Sequence, residues 1–345
     1  MEYFTTAGIG QQLNKIIMKK EIFKVLAKRF WTSLLVLFLL MSFLFLLLKI
    51  SPGDPSLKYI SPELSPKLAE MVKKSFSLEG PLLTQYKMFI INLSKGDFGI
   101  SYSYRIPVVQ IISNTLPFTI IFSLISFIIQ IVSGFLLAVL AVKKINGKVD
   151  KIISKISLTV YAIPSFAAGV FLIYVFSEKL NVFPSSGLSS FDTDSYPAVP
   201  KLLDYVQHLV LPIITLSFNG AAVFYKYLRD NLEDVFNKPF VENLRANGFT
   251  EKEIVWKHIF PNALNPLISV AGVELGLLFG GALITEVIFS LPGMGRLTVN
   301  AILSRDYPLI IGCTFVAGIL VILTNFCADV IKALVDKRIA KGILN

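Results

Sequence analysis

The chain has 345 residues, of which 54% are hydrophobic and 16% are charged, and its mean hydropathy is +0.67. Soluble domains are less apolar and more charged, so this composition excludes a soluble globular protein and indicates an integral membrane protein. The net charge of +10 does not indicate nucleic acid as a partner, because basic residues of membrane proteins gather beside the spans for reasons of topology.

The first 115 residues divide into three predicted parts. Residues 1–30 are basic and carry apolar side chains at every fourth position, a pattern typical of an amphipathic helix on the inner membrane face. Residues 31–50 are too long for a signal peptide and lack its small-residue cleavage site, so they are predicted to be a retained span. Residues 51–115 contain short helical patches broken by Pro and Gly, which predicts a small extracytoplasmic cap.

Six segments are apolar over the roughly 20 residues that a spanning helix needs. They are 31–50, 116–142, 156–176, 206–228, 267–289 and 309–330. The fourth is the weakest of these, since it carries His208 and Asn219. The predicted fold is an all-α integral membrane protein with six transmembrane helices, whose core occupies residues 116–335 and is followed by a cytoplasmic tail at 336–345.

The distribution of Lys and Arg predicts the orientation of the spans. Residues 1–30 hold six of them, 143–155 five, 226–262 six and 332–345 four, which is 21 of the 33 in the chain. The short connections between these clusters are poor in Lys and Arg. Since basic residues accumulate on the cytoplasmic side, both termini are predicted to be cytoplasmic.

Between the fourth and fifth spans, residues 237–262 are polar and read as two short helices joined at a glycine. Pro239 suits a first helical turn, and Asn247 with Gly248 provides the left-handed residue that ends a helix. Thr250 and Glu253 then form a T-x-x-E capping box for a second helix. The segment is too polar to span the membrane, and its capping signals predict an ordered cytoplasmic elbow.

The fifth span carries two unusual features. Gly272, Gly276 and Gly280 recur every four residues, which predicts a ridge for close helix packing. Glu274 lies between them, and an ionisable residue inside a span is a functional candidate. It either lines a pathway or makes a gate contact, or it is a structural carboxylate that is paired or snorkels to the membrane surface.

Catalytic and nucleotide-binding motifs are absent from the sequence. There is no G-x-x-x-x-G-K-[ST], no H-E-x-x-H and no G-x-S-x-G, and the chain has two histidines in all. We therefore predict no catalytic residues, no cofactor and no bound metal, and we expect any ATP hydrolysis to occur in separate subunits.

The elbow resembles the "EAA" loop of ABC importer permeases, whose pattern is E-A-A-x-x-x-G, nine residues, then I-x-L-P. Glu242, Gly248 and Pro261 stand at the required spacing. The two Ala positions, the Ile and the Leu of the pattern are replaced. Such departures are expected if this loop is a binding surface that coevolves with its partner.

Other motifs in the same order resemble the oligopeptide/dipeptide/nickel branch of those permeases. They are "SPGDP", "GDFGISY", "LPFTI", "IPSF", "HLVLPIITLS" and "EVIFSLPGMGRLTVNAILSRDYPLI". The resemblance covers residues 20–340. Near the C-terminus, Lys332 and Lys337 replace the Tyr and Pro of the family pattern D-x-x-Y-x-x-x-D-P-R.

The resemblance implies a permease that pairs with a second homologous permease in the cell membrane. Two cytoplasmic ABC ATPase subunits bind below the pair, and an extracytoplasmic substrate-binding protein delivers the solute from above. The elbow is the coupling segment, seated in a cleft of the ATPase. The residues assigned to that coupling are Phe240, Glu242, Leu244, Ala246, Gly248 and Pro261.

Small peptides are the cargo that this resemblance implies first, with nickel or metal chelates as an alternative on the same architecture. A proton-coupled secondary transporter that uses Glu274 is a second alternative, and a membrane-embedded enzyme is a distant third. A secondary transporter often shows inverted repeats, whereas the elbow occurs once in this chain.

Overall fold

The computed structural model describes residues 3–50, 81–142 and 146–335. Within these ranges the chain is helical and contains no β-strand. The helices are α1 Tyr3–Ile50, α2 Leu82–Ser94, α3 Val108–Val142, α4 Lys148–Ala162, α5 Ser165–Leu172, α6 Ala198–Phe236, α7 Pro239–Ala246, α8 Glu251–Glu253, α9 Phe260–Gly281, α10 Leu283–Ile288, α11 Met294–Ser304 and α12 Tyr307–Val335. Residues 51–80 of the predicted cap and the predicted tail at 336–345 lie outside the described residues.

Five helical stretches are long and apolar enough to cross a membrane. They are Ile22–Ile50, Val108–Val142, Ala198–Phe236, Glu251–Ile288 and Tyr307–Val335. They contain the first, second, fourth and sixth predicted spans and nearly all of the fifth. The fourth is a well-formed helix despite its polar residues, because these bond inside the protein. His208 Nδ1 lies 2.9 Å from the Asp204 carbonyl oxygen, and Asn219 donates to the Ile163 carbonyl.

The third predicted span, 156–176, is not one straight helix. Helix α4 ends at Ala162, and the next residue, Ile163, is extended with a ψ of 122°. Helix α5 begins after Pro164. Proline disfavours the helical conformation in the residue before it, so the break follows from the sequence. The segments Lys148–Ala162 and Ser165–Lys179 meet at 95°, and they complete a sixth crossing if the bent pair is one span.

Small residues let the long helices approach closely. A Cβ added at Gly134 would collide with Phe224, so α3 and α6 touch there. The predicted glycine ridge of α9 packs against α12, where Gly272 faces Ala328 and Gly276 faces Thr324. The ridge is therefore confirmed as a packing surface within the chain.

Two buried carboxylates organise the connection between α9 and α12. Glu286 accepts hydrogen bonds from the Thr119 hydroxyl at 3.0 Å and from the backbone N–H groups of Gly295 at 2.6 Å and Arg296 at 3.1 Å. Asp306 accepts from the Ser103 N–H at 2.9 Å and from the Ser101 hydroxyl. Both carboxylates are fully buried. Their bonds tie α11 and α12 to segments that lie far away in the sequence.

Candidate coupling elbow

The first helix of the elbow begins and ends where the sequence predicts. Helix α7 has Pro239 as its first residue, where the missing N–H costs nothing. It ends before Gly248, whose φ is +81°. The Gly248 N–H donates to the Arg245 carbonyl at 3.0 Å, and the Phe249 N–H donates to the Leu244 carbonyl at 3.2 Å. This is the left-handed helix end that glycine favours.

The second helix begins with the predicted capping box. The Thr250 hydroxyl accepts from the Glu253 N–H at 3.3 Å, and the Glu253 carboxylate accepts from the Thr250 N–H at 3.3 Å. Both bonds satisfy donors that a helix start would otherwise leave free. The capping box is therefore confirmed, and the turn between the two helices comprises only a few residues.

Side chains fix the angle between the two helices. The Arg245 guanidinium donates to the Glu251 carboxylate at 2.7 Å across the turn, and this hydrogen bond raises the pKa of Arg245 above its ordinary value. The Phe249 ring lies edge-on to the His258 ring, with 5.7 Å between the ring centroids. The ion pair is exposed and contributes little energy, but together these contacts define one geometry for the turn.

The elbow packs its inner face against the neighbouring ends of the long helices. Val241 and Ile254 are fully buried in a cluster that includes Leu228 and Leu232 of α6. Phe240 and Leu244, two of the predicted coupling residues, are half-buried and pack against this same cluster. The structure therefore places part of their apolar surface inside the chain, which the sequence did not reveal.

The outer face of the elbow presents a different set of residues. Glu242, Ala246 and Gly248, three of the predicted coupling residues, are exposed. Phe249 and Trp256 are also exposed, to 42% and 49% of their surfaces, and sequence reasoning missed both. The available signal was the position of Phe249, directly after the hinge glycine in an otherwise polar segment.

The second elbow helix continues into the fifth span without a break. Helix α8 passes through π-helical turns at Ile254–Ile259 into α9, where Pro261 is the second residue. Proline has no N–H to give to the preceding turn, and the wider turns accommodate this loss. The second elbow helix is therefore joined, with no loop between them, to the helix that carries Glu274.

A buried ion pair links α4 to the end of α6 that leads into the elbow. Asp150 of α4 is 1% exposed and pairs with Arg229 of α6, whose Nη2 lies 2.9 Å from its Oδ2. It also accepts from the Tyr225 hydroxyl at 3.2 Å and from the Asn146 N–H at 2.8 Å. Arg229 in turn pairs with Glu233. The network joins α4 to the end of α6 from which the elbow leaves.

Glu274 lies on the side of α9 opposite the glycine ridge, because two residues along a helix turn the side chain by about 200°. Its neighbours Val273 and Leu277 are exposed, and Glu274 itself is half-exposed. No hydrogen bond or ion pair links its carboxylate to another residue in the described ranges. Within those ranges, no group of three or more His, Cys, Asp or Glu side chains could hold a metal ion.

The long apolar helices are those of an integral membrane protein. Residues 130–341 match the family described as "Binding-protein-dependent transport system inner membrane component". Residues 22–125 match the corresponding N-terminal family model. The chain belongs to this family, and it is the permease subunit of an ABC importer, not a catalytic subunit.

Curated relatives cover nearly the whole chain. The oligopeptide transport system permease protein AppB of Bacillus subtilis (strain 168) is 34% identical over 296 residues, which are 86% of this chain and 92% of AppB. The dipeptide transport system permease protein DppB of Lactococcus lactis subsp. cremoris (strain MG1363) is 30% identical over 92% of this chain and 99% of DppB. The glutathione transport system permease protein GsiC of Escherichia coli (strain K12) is 31% identical over 90% and 97%.

A solved structure shares the fold. A chain of an amino acid ABC transporter, crystallised with histidines, aligns with a TM-score of 0.51 at 15% sequence identity. The alignment covers 65% of this chain and 94% of that chain. Over that part of the chain, the two proteins share the helical fold.

Proposed function

We propose that the elbow, residues 237–262, is the surface through which separate cytoplasmic ATPase subunits drive this permease. The observation that carries the proposal is the continuous path from the exposed elbow through Ile254–Ile259 into α9. A partner that moves the elbow moves the fifth span with it, because no flexible linker lies between them.

The contacts of the elbow support a rigid joint. Its two helices are fixed to each other by the left-handed Gly248, the capping box at Thr250 and the Arg245–Glu251 pair. Its inner face is anchored in the chain's own core through Val241 and Ile254. The coupling surface is then the outer face, where Phe249 supplies exposed apolar area, and Phe240 and Leu244 contribute only the parts left uncovered.

Glu274 is the proposed pathway residue. A carboxylate in hydrocarbon without a partner is costly, so the half-exposed Glu274 argues against lipid contact on this side of α9. A water-filled pathway or the interface with a second permease satisfies the carboxylate. In this arrangement the glycine ridge holds α9 to α12 while the opposite side of α9 faces the solute.

The proposed cargo is a small peptide, because the relatives that match across the chain are named for oligopeptides, dipeptides and glutathione. We propose the assembly of such an importer around this chain, with a second homologous permease, two ATPase subunits and an extracytoplasmic binding protein. We propose that both termini and the elbow are cytoplasmic, which the clusters of Lys and Arg beside the spans support. Mass spectrometry of ligands carried by the co-purified binding protein tests the cargo.

The coupling role is tested by co-purification of the ATPase with two variants. Phe249→Asp places a charge on the exposed face of the elbow and should sharply reduce the amount of ATPase retained. Phe191→Asp is the matched control, since Phe191 is also an exposed aromatic residue, but on the predicted outer side. Equal retention of the ATPase by both variants would contradict the proposal.

A further inference from the structure

Helix α4 has one side packed on the protein and one side free. Asp150 and Ser157 are buried on the packed side. On the free side, Val149, Ile152 and Ile156 are each 57–58% exposed. Their spacing of three and four residues places them in one row along the helix. No described residue of the chain covers this apolar row.

A row of lysines runs beside the apolar row. Lys148, Lys151 and Lys155 are exposed and share the same helical spacing. None of the three forms an ion pair with another residue in the described part of the chain. The lysines and the branched aliphatic side chains therefore lie next to each other on the free side, as in a helix that rests on a membrane surface.

The acidic residue of α4 does not neutralise the lysines. Asp150 is buried, and its carboxylate is occupied by Arg229, the Tyr225 hydroxyl and the Asn146 N–H. The free side therefore carries three positive charges and no negative charge from α4 itself. Its chemistry is complementary to an anionic surface.

Contacts with α6 fix the depth of this helix in the bilayer. Residues 205–225 of α6 contain no Asp, Glu, Lys or Arg, and at about 1.5 Å per residue they extend about 31 Å, the thickness of the hydrocarbon. Asp150 bonds to Tyr225 and Arg229, at the end of that stretch. The start of α4 therefore lies at the level of the lipid headgroups, and the chain turns by 95° before the next segment enters the membrane.

We propose that α4 binds the anionic lipid headgroups of the inner leaflet. Its apolar row would contact the part of the acyl chains next to the headgroups, and its lysines would contact the phosphates. The proposal relies on the orientation given under the proposed function, in which this end of α6 is cytoplasmic. A protein partner would pair with the lysines only if its surface were acidic. An anionic bilayer at this depth offers acyl chains to the apolar row and phosphates to the lysines. The interaction surface is therefore a lipid-binding one that stabilises the bent α4–α5 pair.

The first test measures where the free side lies. In the full chain with Cys313 and Cys327 replaced by Ala, Ile152→Cys is labelled with an environment-sensitive fluorophore and reconstituted into phosphatidylcholine vesicles containing phosphatidylglycerol. We expect blue-shifted emission that is quenched by lipids brominated on the acyl chain and protected from aqueous iodide. A label at Asn247, exposed on the elbow, is the control and should be quenched by iodide.

The second test measures how much the three lysines contribute to binding of anionic lipid. Replacing Lys148, Lys151 and Lys155 together by Gln should reduce the phosphatidylglycerol retained by the purified protein, by about fivefold in affinity for each lysine. The matched control replaces three lysines of the elbow region, at positions 238, 252 and 257, which removes the same charge on the same side. Retention in this control should stay at the level of the unaltered protein.

Three outcomes would overturn the proposal. Quenching of the Ile152 label by iodide would place the free side of α4 in water. Protection from both quenchers would mean that protein covers it. Equal loss of phosphatidylglycerol in the two lysine variants would mean that total charge, and not α4, binds the lipid. None of these tests needs an ATPase or transport, so their failure is distinct from a failure of the coupling role.

Discussion

Replacement of Gly248 by Val should impair transport through backbone strain alone. The φ of Gly248 is +81°, and apart from its chain neighbours no atom lies within 4 Å of a Cβ built there. The Cβ of a new side chain therefore meets open space, and the left-handed backbone is the source of the cost. For residues other than glycine this cost is about 1–2 kcal/mol, which lowers the population of the native turn by a factor of about 5–30.

The expected result is an elbow whose two helices are formed but meet at a changed angle. Gly248→Val should insert normally and retain much of the ATPase, because the exposed Phe249 and Trp256 remain, while peptide uptake falls by up to the same factor. Gly248→Asn is the matched control, since asparagine tolerates the left-handed conformation, and it should transport at nearly the unaltered rate.

Uptake in intact cells and co-purification of the ATPase are measured together for both variants. Equal uptake by Gly248→Val and the unaltered protein would refute the claim that the geometry of this turn matters. Equal losses in the Val and Asn variants would show that the side chain, and not the backbone conformation, is responsible.

Three further predictions concern packing and topology. Glu286→Gln should lower the thermal unfolding midpoint in detergent, because an amide has one acceptor oxygen and leaves a buried donor unpaired, at about 1–3 kcal/mol. Gly272→Ala should destabilise the chain by overpacking at about 1–3 kcal/mol, and Ala328→Gly should restore stability because Ala328 is the side chain that a new Cβ meets. Single cysteines at Ser189 and Asn247 should be labelled from outside and inside the cell, respectively.

The controls for these predictions are simple. Glu178→Gln makes the same chemical change at an exposed carboxylate and should leave the unfolding midpoint unchanged. If it lowers the midpoint as much as Glu286→Gln, the buried hydrogen bonds are not the cause. Failure of Ala328→Gly to restore Gly272→Ala would mean that the ridge does not limit helix approach. Labelling of both cysteines from one side would contradict the proposed orientation.

The parts of the structure that the sequence predicted well depend on local rules. The ends of the elbow helices follow from Pro239, Gly248 and the Thr250 capping box, all of which act within a few residues. The glycine ridge was equally visible as a four-residue repeat. Its partner α12 could not be read from the sequence, because helix pairing is a property of the whole bundle.

The parts that sequence reasoning missed depend on distant contacts. Glu286 is buried because Thr119 and Gly295 converge on it from separate elements, and no local pattern shows this. Phe240 and Leu244 were predicted to contact the ATPase, because only the folded chain reveals the core against which they pack. The bend at Pro164 had a local signal, but the apolar residues on both sides of it favoured a single span.

The central proposal is that the ATPase binds the outer face of the elbow. Site-specific photo-crosslinking tests this contact most directly. A photoreactive phenylalanine analogue at position 249, in the assembled importer in native membranes, should crosslink to the ATPase subunit. The same analogue at position 191 should not. A complex that transports normally but gives no ATPase crosslink from position 249 would contradict the account.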